Sequence, residues 1–302
     1  RIHHVLTRHE QGATHMADGY ARSSGKVGVA LATSGPGAAN MVTGLATAMM
    51  DSVPIVCITG QVPRPAIGSD AFQEMDISGA VIPVTKHSYL VMDIKDLAKT
   101  IKEAFVIARS GRPGPVLVDI PKDLQAEEFD FVYPEEPIML PGDNPIKNDI
   151  DVKSLEEAAK LIANAERPVI LAGHGILLSG ASKEVIELSE KGDIPLSWTL
   201  LGSGAVPASH DLNMGMMGMH GEFAANNAIQ KADLLIACGM RFDDRVTGNT
   251  KTYSLNSKKI HIEIDPSEIN KNVPVDIALV GDLKTVLRKL LPVLDKQSNS
   301  NW

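Results

Sequence analysis

The stretch Val27-Gly28-Val29-Ala30-Leu31-Ala32-Thr33-Ser34-Gly35-Pro36-Gly37-Ala38-Ala39-Asn40 decides the fold class. A short apolar segment passes through a turn of glycine and proline into an Ala-rich stretch of helical composition. Continuous apolar strands are buried on both faces, as in a parallel sheet covered by helices. A glycine turn between strand and helix lets the backbone approach a ligand, and the helix N-terminus offers unpaired N–H donors. No Gly-Lys-Ser/Thr end follows, so the turn is not a Walker loop.

The same alternation extends outward. Strands are expected near residues 2–6, 27–33, 53–59, 81–85 and 115–120, with helices near 11–23, 37–50 and 94–109. In the last helix Ile94, Leu97, Ala98, Ile101, Ala104, Phe105 and Ala108 follow helical spacing. Pro134, Pro137, Pro141, Gly142 and Pro145 then mark a linker. Beyond it come helix 153–165, strand 168–172, helix 181–191, strand 194–197, helix 222–231, strands 233–238 and 259–264, and helix 282–291. The chain of 302 residues therefore reads as two doubly wound α/β domains with mostly parallel sheets covered by helices. Their expected bounds are 1–136 and 146–294, with a linker at 137–145 and the start of another at 295–302.

Composition narrows the function classes. Hydrophobic residues are 44% and charged residues 22%, which are globular values. A net charge of −8 argues against nucleic acid as a partner. The apolar runs Val27–Thr33, Val53–Thr59 and Asp233–Cys238 fall far short of the roughly 20 residues that span a bilayer. Cys57 and Cys238 each lie in an apolar run, so buried free thiols in a reducing compartment are expected rather than a disulfide framework or zinc site. The chain opens on Arg1 inside an apolar run and reads as a segment of a longer protein, upstream of which any targeting peptide would lie.

Several residues are placed for chemistry. Glu10 follows a predicted strand and precedes a helix, at the edge where open α/β sheets bind ligands. Its plainer reading is a carboxylate favoured by the helix N-terminus. The loop Gly60-Gln61-Val62-Pro63, continued by Ala66 to Glu74, carries Phe72 and Gln73 and either lines a pocket or is an ordinary surface loop. Arg112 stands on a Pro/Gly scaffold suited to an anion or to a structural salt bridge. The second half offers Gly173-His174-Gly175, Met219-His220-Gly221, the run Arg241 to Gly248, Glu263, Asp265 and Gly281-Asp282. Carboxylates at strand ends commonly hold ribose hydroxyls, and arginines meet pyrophosphate. Taken singly, His174 and His220 are more often structural than ligands. His3, His4, His9 and His15 lack a matching acid or cysteine pattern, so no metal site is expected in this chain.

Five strings occur in one order: Arg8-His9-Glu10-Gln11-Gly12-Ala13, Thr33-Ser34-Gly35-Pro36-Gly37-Ala38, Ala71-Phe72-Gln73-Glu74, Gly111-Arg112-Pro113-Gly114-Pro115-Val116-Leu117-Val118-Asp119 and Arg241-Phe242-Asp243-Asp244-Arg245-Val246-Thr247-Gly248. That order resembles the acetohydroxyacid synthase (acetolactate synthase) family of large catalytic subunits, from Arg1 to about Leu294. The first three strings are shared with other thiamine-diphosphate decarboxylases and carboligases, and the last narrows the match to the flavin-containing synthases.

The resemblance implies a three-domain subunit. Residues 1–136 would be most of its pyrimidine-binding domain and residues 146–294 its central FAD-binding domain. The Mg²⁺–diphosphate domain would lie outside this chain, and the chain alone would be inactive. Glu10 would hydrogen-bond the aminopyrimidine of thiamine diphosphate and promote the imino tautomer that generates the ylide. Pro36 and Asn40 would line the pyrimidine pocket, and Gln73 would face cofactor and substrate. Arg112, His220, Gly221, Arg241, Arg245, Glu263 and Asp282 would hold FAD, beside Gly173 and Gly175. Phe72, Lys122 and Met219 would surround the substrate channel. His174 and Trp198 depart from the small residues usual at those positions.

The implied reaction decarboxylates pyruvate and joins the two-carbon unit to pyruvate or 2-ketobutyrate, the first common step of branched-chain amino-acid biosynthesis. The implied assembly is a homodimer or homotetramer, with a regulatory small subunit as a further partner. The location would be cytoplasmic in a bacterium, and plastid or mitochondrion in a eukaryote. The alternatives are a pyruvate oxidase-like relative or a non-catalytic flavin-binding module. A glyoxylate carboligase is disfavoured by the presence of Glu10.

Overall fold

Four parallel strands form the first sheet: β1 (Gly28–Ala32), β2 (Ile55–Gln61), β3 (His87–Leu90) and β4 (Val116–Pro121), in the order β1-β2-β4-β3. Around it lie α1 (Glu10–Ser24), α2 (Pro36–Ala39), α3 (Val42–Asp51), α4 (Ile77–Ala80) and α5 (Ile94–Arg109). The computed structural model describes residues 2–138, 150–298 and 302. Their contacts divide the chain into two units, Arg1–Asp143 and Asn144–Trp302.

Strand β2 shows why its sequence is apolar throughout. Successive side chains alternate faces, and Ile55 and Cys57 enter a core with Ala17 and Leu45, while Val56 and Ile58 enter another with Ala104 and Val118. Two glycines seat α1. A Cβ on Gly28 would lie 2.1 Å from the Ala17 carbonyl oxygen, and one on Gly44 would lie 1.9 Å from Thr14 Oγ1. Their bare surfaces let α1 rest directly on β1 and α3, which brings Glu10 to the carboxyl edge of the sheet. At the other end of α1, Arg22 bridges Asp18 at 2.5 Å and Asp51 at 2.8 Å.

Three expectations are corrected here. Residues 2–7 carry no regular structure: Ile2, Val5 and Leu6 are exposed, so no core holds the apolar run as a strand. Pro83 cannot donate to a ladder, so residues 82–84 form a 3₁₀ turn and the strand begins later, at His87. The helix expected over 37–50 is two helices, parted where Met41 N–H bonds to Ala38 carbonyl in a tighter turn.

The second unit holds six parallel strands: β5 (Pro168–Ala172), β6 (Leu196–Trp198), β7 (Asn213–Met216), β8 (Leu234–Cys238), β9 (Lys258–Glu263) and β10 (Ile277–Val280). Their order is β10-β9-β8-β5-β6-β7. Helices α6 (Val152–Asn164), α7 (Gly175–Ser179), α8 (Ser182–Gly192), α9 (Phe223–Lys231), α10 (Asp244–Thr247) and α11 (Leu283–Leu290) complete it. Ile170, Ile236 and Ile260 face one core, and Val169, Leu171 and Leu235 face the other. The chain runs outward from β5 to β7, then returns to β8 on the other side of β5, so the topological switch point lies between β5 and β8.

Of the expected linker 137–145, Pro141, Gly142 and Pro145 lie outside the described residues. Just before it, Lys102 Nζ donates to the Glu136 carbonyl at 2.8 Å and sits 5.5 Å from the Tyr133 ring centre. At the expected tail, Trp302 Nε1 donates to the Pro168 carbonyl at 3.0 Å, docking the indole on the second unit. Both cysteines are buried free thiols, and burial pushes each up to about 12.

Candidate functional site

In the first unit the carboxyl edge of the sheet gathers the turn after β1, the loop after β2 and the N-terminus of α1. Glu10 is the first residue of α1, half-buried, and Asn40 Nδ2 donates to its Oε2 at 3.0 Å. That hydrogen bond is the main reason the Glu10 carboxyl sits below its usual range, with the helix backbone adding to it. The other oxygen, Oε1, lies over Gly37: a Cβ there would stand 3.3 Å from it and 2.8 Å from Thr33 Cγ2. Pro36 opens α2 beside them.

Gln73 brackets the same turn from the far side. Gly35, at φ +61°, packs against it so closely that a Cβ would lie 2.7 Å from the Gln73 carbonyl oxygen. Gln73 itself has φ +62° and Asp70 has φ +58°, left-handed conformations that side-chain-bearing residues rarely adopt. Glu74 ties this loop together, accepting from the Gly68 and Ala71 N–H groups, and those bonds lower its carboxyl. Phe72 projects from the tip, 90% exposed. Lys122 follows β4 at the same edge, exposed, its N–H on the Gln61 carbonyl at 2.9 Å.

Glu10, Pro36, Asn40 and Gln73 are thus assembled around one turn. Arg112 is elsewhere in this unit. It precedes β4 at the amino edge of the sheet, with Nε on Ser52 Oγ at 2.8 Å.

Beneath the site lies a buried polar group whose role was not legible in the sequence. Asp119 Oδ1 accepts from Thr59 Oγ1 at 2.7 Å, and its Oδ2 accepts from Gln61 Nε2 at 2.8 Å. Burial, opposed by those hydrogen bonds, pushes the Asp119 carboxyl up to about 6. The available signal was a lone acid inside the apolar run Val116 to Pro121.

In the second unit the candidates also follow the carboxyl ends of the strands. Gly173 and Gly175 meet Gly239 at the switch point. A Cβ on Gly173 would lie 2.2 Å from the Gly239 oxygen, and one on Gly175 would lie 2.7 Å from the Gly239 α-carbon. Close packing of the β5 and β8 loops therefore explains these glycines. The turn Gly218 to Gly221 reaches the loop after β8, where Met219 N–H bonds to the Arg245 carbonyl at 2.8 Å. Arg245 is largely exposed, while Arg241 is more covered and lies 3.9 Å from Asp243. Glu263 ends β9, its Oε1 accepting from the Ile264 N–H at 2.9 Å, and Asp282 caps α11 through Thr285 N–H at 2.9 Å. His174 precedes the first residue of α7, and Trp198 packs half-buried against the core.

Among the described residues no group of three or more His, Cys, Asp or Glu is placed to hold a metal ion, and no helix is long and apolar enough to cross a membrane.

Each unit is a parallel α/β fold with candidate groups at the carboxyl edge of its sheet, and the sequence comparisons give the class. Residues 1–80 match the N-terminal TPP binding domain of thiamine pyrophosphate enzymes, and residues 155–290 match the central domain of the same enzymes. The chain belongs to the thiamine pyrophosphate enzyme family. Within it, the chain is 52% identical over 295 residues to the probable acetolactate synthase large subunit of Methanocaldococcus jannaschii, covering 96% of this chain and 49% of that protein. It is 51% identical over 291 residues to the acetolactate synthase large subunit of Corynebacterium glutamicum, covering 96% and 46% respectively. It is 52% identical over 294 residues to the acetolactate synthase of Mycobacterium bovis, covering 97% and 47%. The chain spans about half the length of these curated relatives.

Proposed function

We propose that the first unit supplies the aminopyrimidine side of a thiamine diphosphate site and that Glu10 is its proton-sharing group. The observation that carries this reading is the Glu10–Asn40 hydrogen bond over the bare surface of Gly37. The residues fit a flat nitrogen ring. Asn40 holds Oε2, the bare Gly37 lets the turn pack close against Oε1, and the lowered carboxyl is ionised at neutral pH and ready to accept. Bound thiamine diphosphate supplies a carbon nucleophile and an electron sink for decarboxylation. The chain's own part is to share a proton at Glu10, to wall the ring with Pro36 and Asn40, and to present Gln73, Phe72 and Lys122 at the substrate side.

The whole enzyme would make acetolactate from pyruvate, or acetohydroxybutyrate when 2-ketobutyrate is the acceptor. We further assign FAD to the second unit, held by His220, Gly221, Arg241, Arg245, Glu263 and Asp282. Asp282, Glu263 and Arg241 follow the consecutive strands β10, β9 and β8, which lie about 4.8 Å apart, a spacing suited to an extended dinucleotide. The net reaction moves no electrons, so the flavin's role is structural. Mg²⁺ would hold the diphosphate at residues outside this chain. Assembly as a homodimer or homotetramer, with a regulatory small subunit, completes the proposal.

The test is Glu10→Gln in an enzyme of the relatives' full length. General acid–base groups contribute about 10²–10⁴-fold, so acetolactate formation should fall by that much while the protein stays folded. A variant keeping about half its activity or more would remove Glu10 from this role.

A further inference from the structure

We infer that Asp119 is a positioning residue which, through Gln61, fixes the loop carrying Phe72 and Gln73 against Gly35. The inference rests on the reading of the carboxyl edge as the cofactor site, because that is where the loop stands.

Thr59 and Gln61 are two positions apart on β2 and so share a face. The parallel register sets Thr59 beside Asp119 of β4. All three are buried, with Asp119 and Thr59 each 1% exposed. Asp119 accepts from both neighbours, and the Gln61 amide is fully committed. Its Nε2 donates to Asp119 Oδ2 at 2.8 Å and to the Met75 carbonyl at 2.7 Å, while its Oε1 accepts from Val62 N–H at 2.9 Å. Turning the amide over would set Oε1 against a carboxylate and a carbonyl. The acid therefore dictates which way the amide points, and the amide in turn holds Met75.

Met75 closes the loop that contains Asp70 and Gln73 in left-handed conformations. Such conformations persist only where the surroundings over-determine them. One end of the loop is held by Gln61 at Met75. The other is held by Arg64, whose N–H and Nε meet Asp123 at 2.9 and 2.7 Å and whose Nη1 meets the Met92 carbonyl at 2.9 Å. A buried carboxylate is a poor device for stability alone, since desolvation offsets its attractions. Its use here is orientation.

The experiment is hydrogen exchange on the chain and on Gln61→Met, Asp119→Asn, Thr59→Val and Thr59→Ser. Gln61→Met keeps the volume and removes the anchor. A lost hydrogen bond of this kind corresponds to an exchange change of about tenfold. Amides of residues 68–76 should therefore exchange about tenfold faster in Gln61→Met and Asp119→Asn, while β2 and β4 stay protected. Thr59→Val should show a smaller rise, and Thr59→Ser, which keeps the hydroxyl, should behave as wild type. Loop exchange unchanged in Gln61→Met overturns the inference. So does equal acceleration of loop and strands, which would mean a purely structural role. If Asp119→Asn does not fold, Gln61→Met and the Thr59 pair decide. Glu10→Gln should leave loop exchange untouched, so a failed Glu10 activity test would strike the cofactor reading alone.

Discussion

Asn40 Nδ2 and Glu10 Oε2 meet at 3.0 Å across 30 residues of sequence, and this bond is the main influence on the charge of the Glu10 carboxylate. Asn40→Ala should raise the Glu10 pKa toward that of an ordinary glutamate. Glu10 contributes stability above its unfolded pKa, and that contribution is lost as pH falls through the lower folded value. The variant should therefore be less stable than wild type at neutral pH and converge with it in acid. A ¹³C-carboxyl titration of Glu10 checks the shift directly, and an unmoved midpoint would refute it.

Asp119 has the opposite sign. Burial pushes it up to about 6 from 3.8, so the folded chain holds this proton more tightly than the unfolded one. The stability it contributes is present at low pH and lost as pH rises through about 6. Relative to Asp119→Asn, wild type should lose about 2 kcal/mol between about pH 4.5 and 7. Exchange free energies of the β2 and β4 amides, measured for both proteins across that range, test this. A difference independent of pH would show that the carboxyl is not perturbed.

Two glycines of the first unit should respond in opposite directions. Gly35 combines φ +61° with the close approach of Gln73, so Gly35→Ala should destabilise the unit by about 1–3 kcal/mol. Gly19 lies inside α1 with nothing within 4 Å of an added Cβ. Gly19→Ala should stabilise by about 0.5–1 kcal/mol. Thermal unfolding of both variants would disprove the account if the two shifts had the same sign.

Flavin retention tests the second unit. Hydrogen bonds to charged groups contribute about 1.5–3 kcal/mol each, so Arg241→Ala with Arg245→Ala should cost the protein its FAD on purification. Absorbance near 450 nm per polypeptide reports it. A fully yellow double variant would assign these arginines elsewhere.

The sequence announced the sheets because β2, β4, β5 and β8 are covered on both faces and so read as largely apolar runs. It hid β7, whose Asn-Met-Gly-Met stretch has little strand character. It misplaced β3, because Pro83 sits within an otherwise plausible run. At the candidate site, Glu10 stood out by its position between a predicted strand and a helix. Its hydrogen bond with Asn40 was not legible, since side chains 30 residues apart have no local signature, and the family resemblance placed Asn40 only in the lining of the pyrimidine pocket. Asp119 escaped for the same reason. Its meaning depends on the register that sets it beside Thr59, which only the folded sheet reveals.

Strand β1 bounds its sheet with Val29 at 43% and Leu31 at 63% exposure, and its outer N–H and C=O groups have no ladder neighbour among the described residues. An open strand edge flanked by aliphatic side chains is a template for another strand. The first unit prepared alone should therefore behave as a sticky colloid, with a sedimentation coefficient that climbs with concentration. A lysine at Leu31, pointing into solvent, should restore a single sharp boundary.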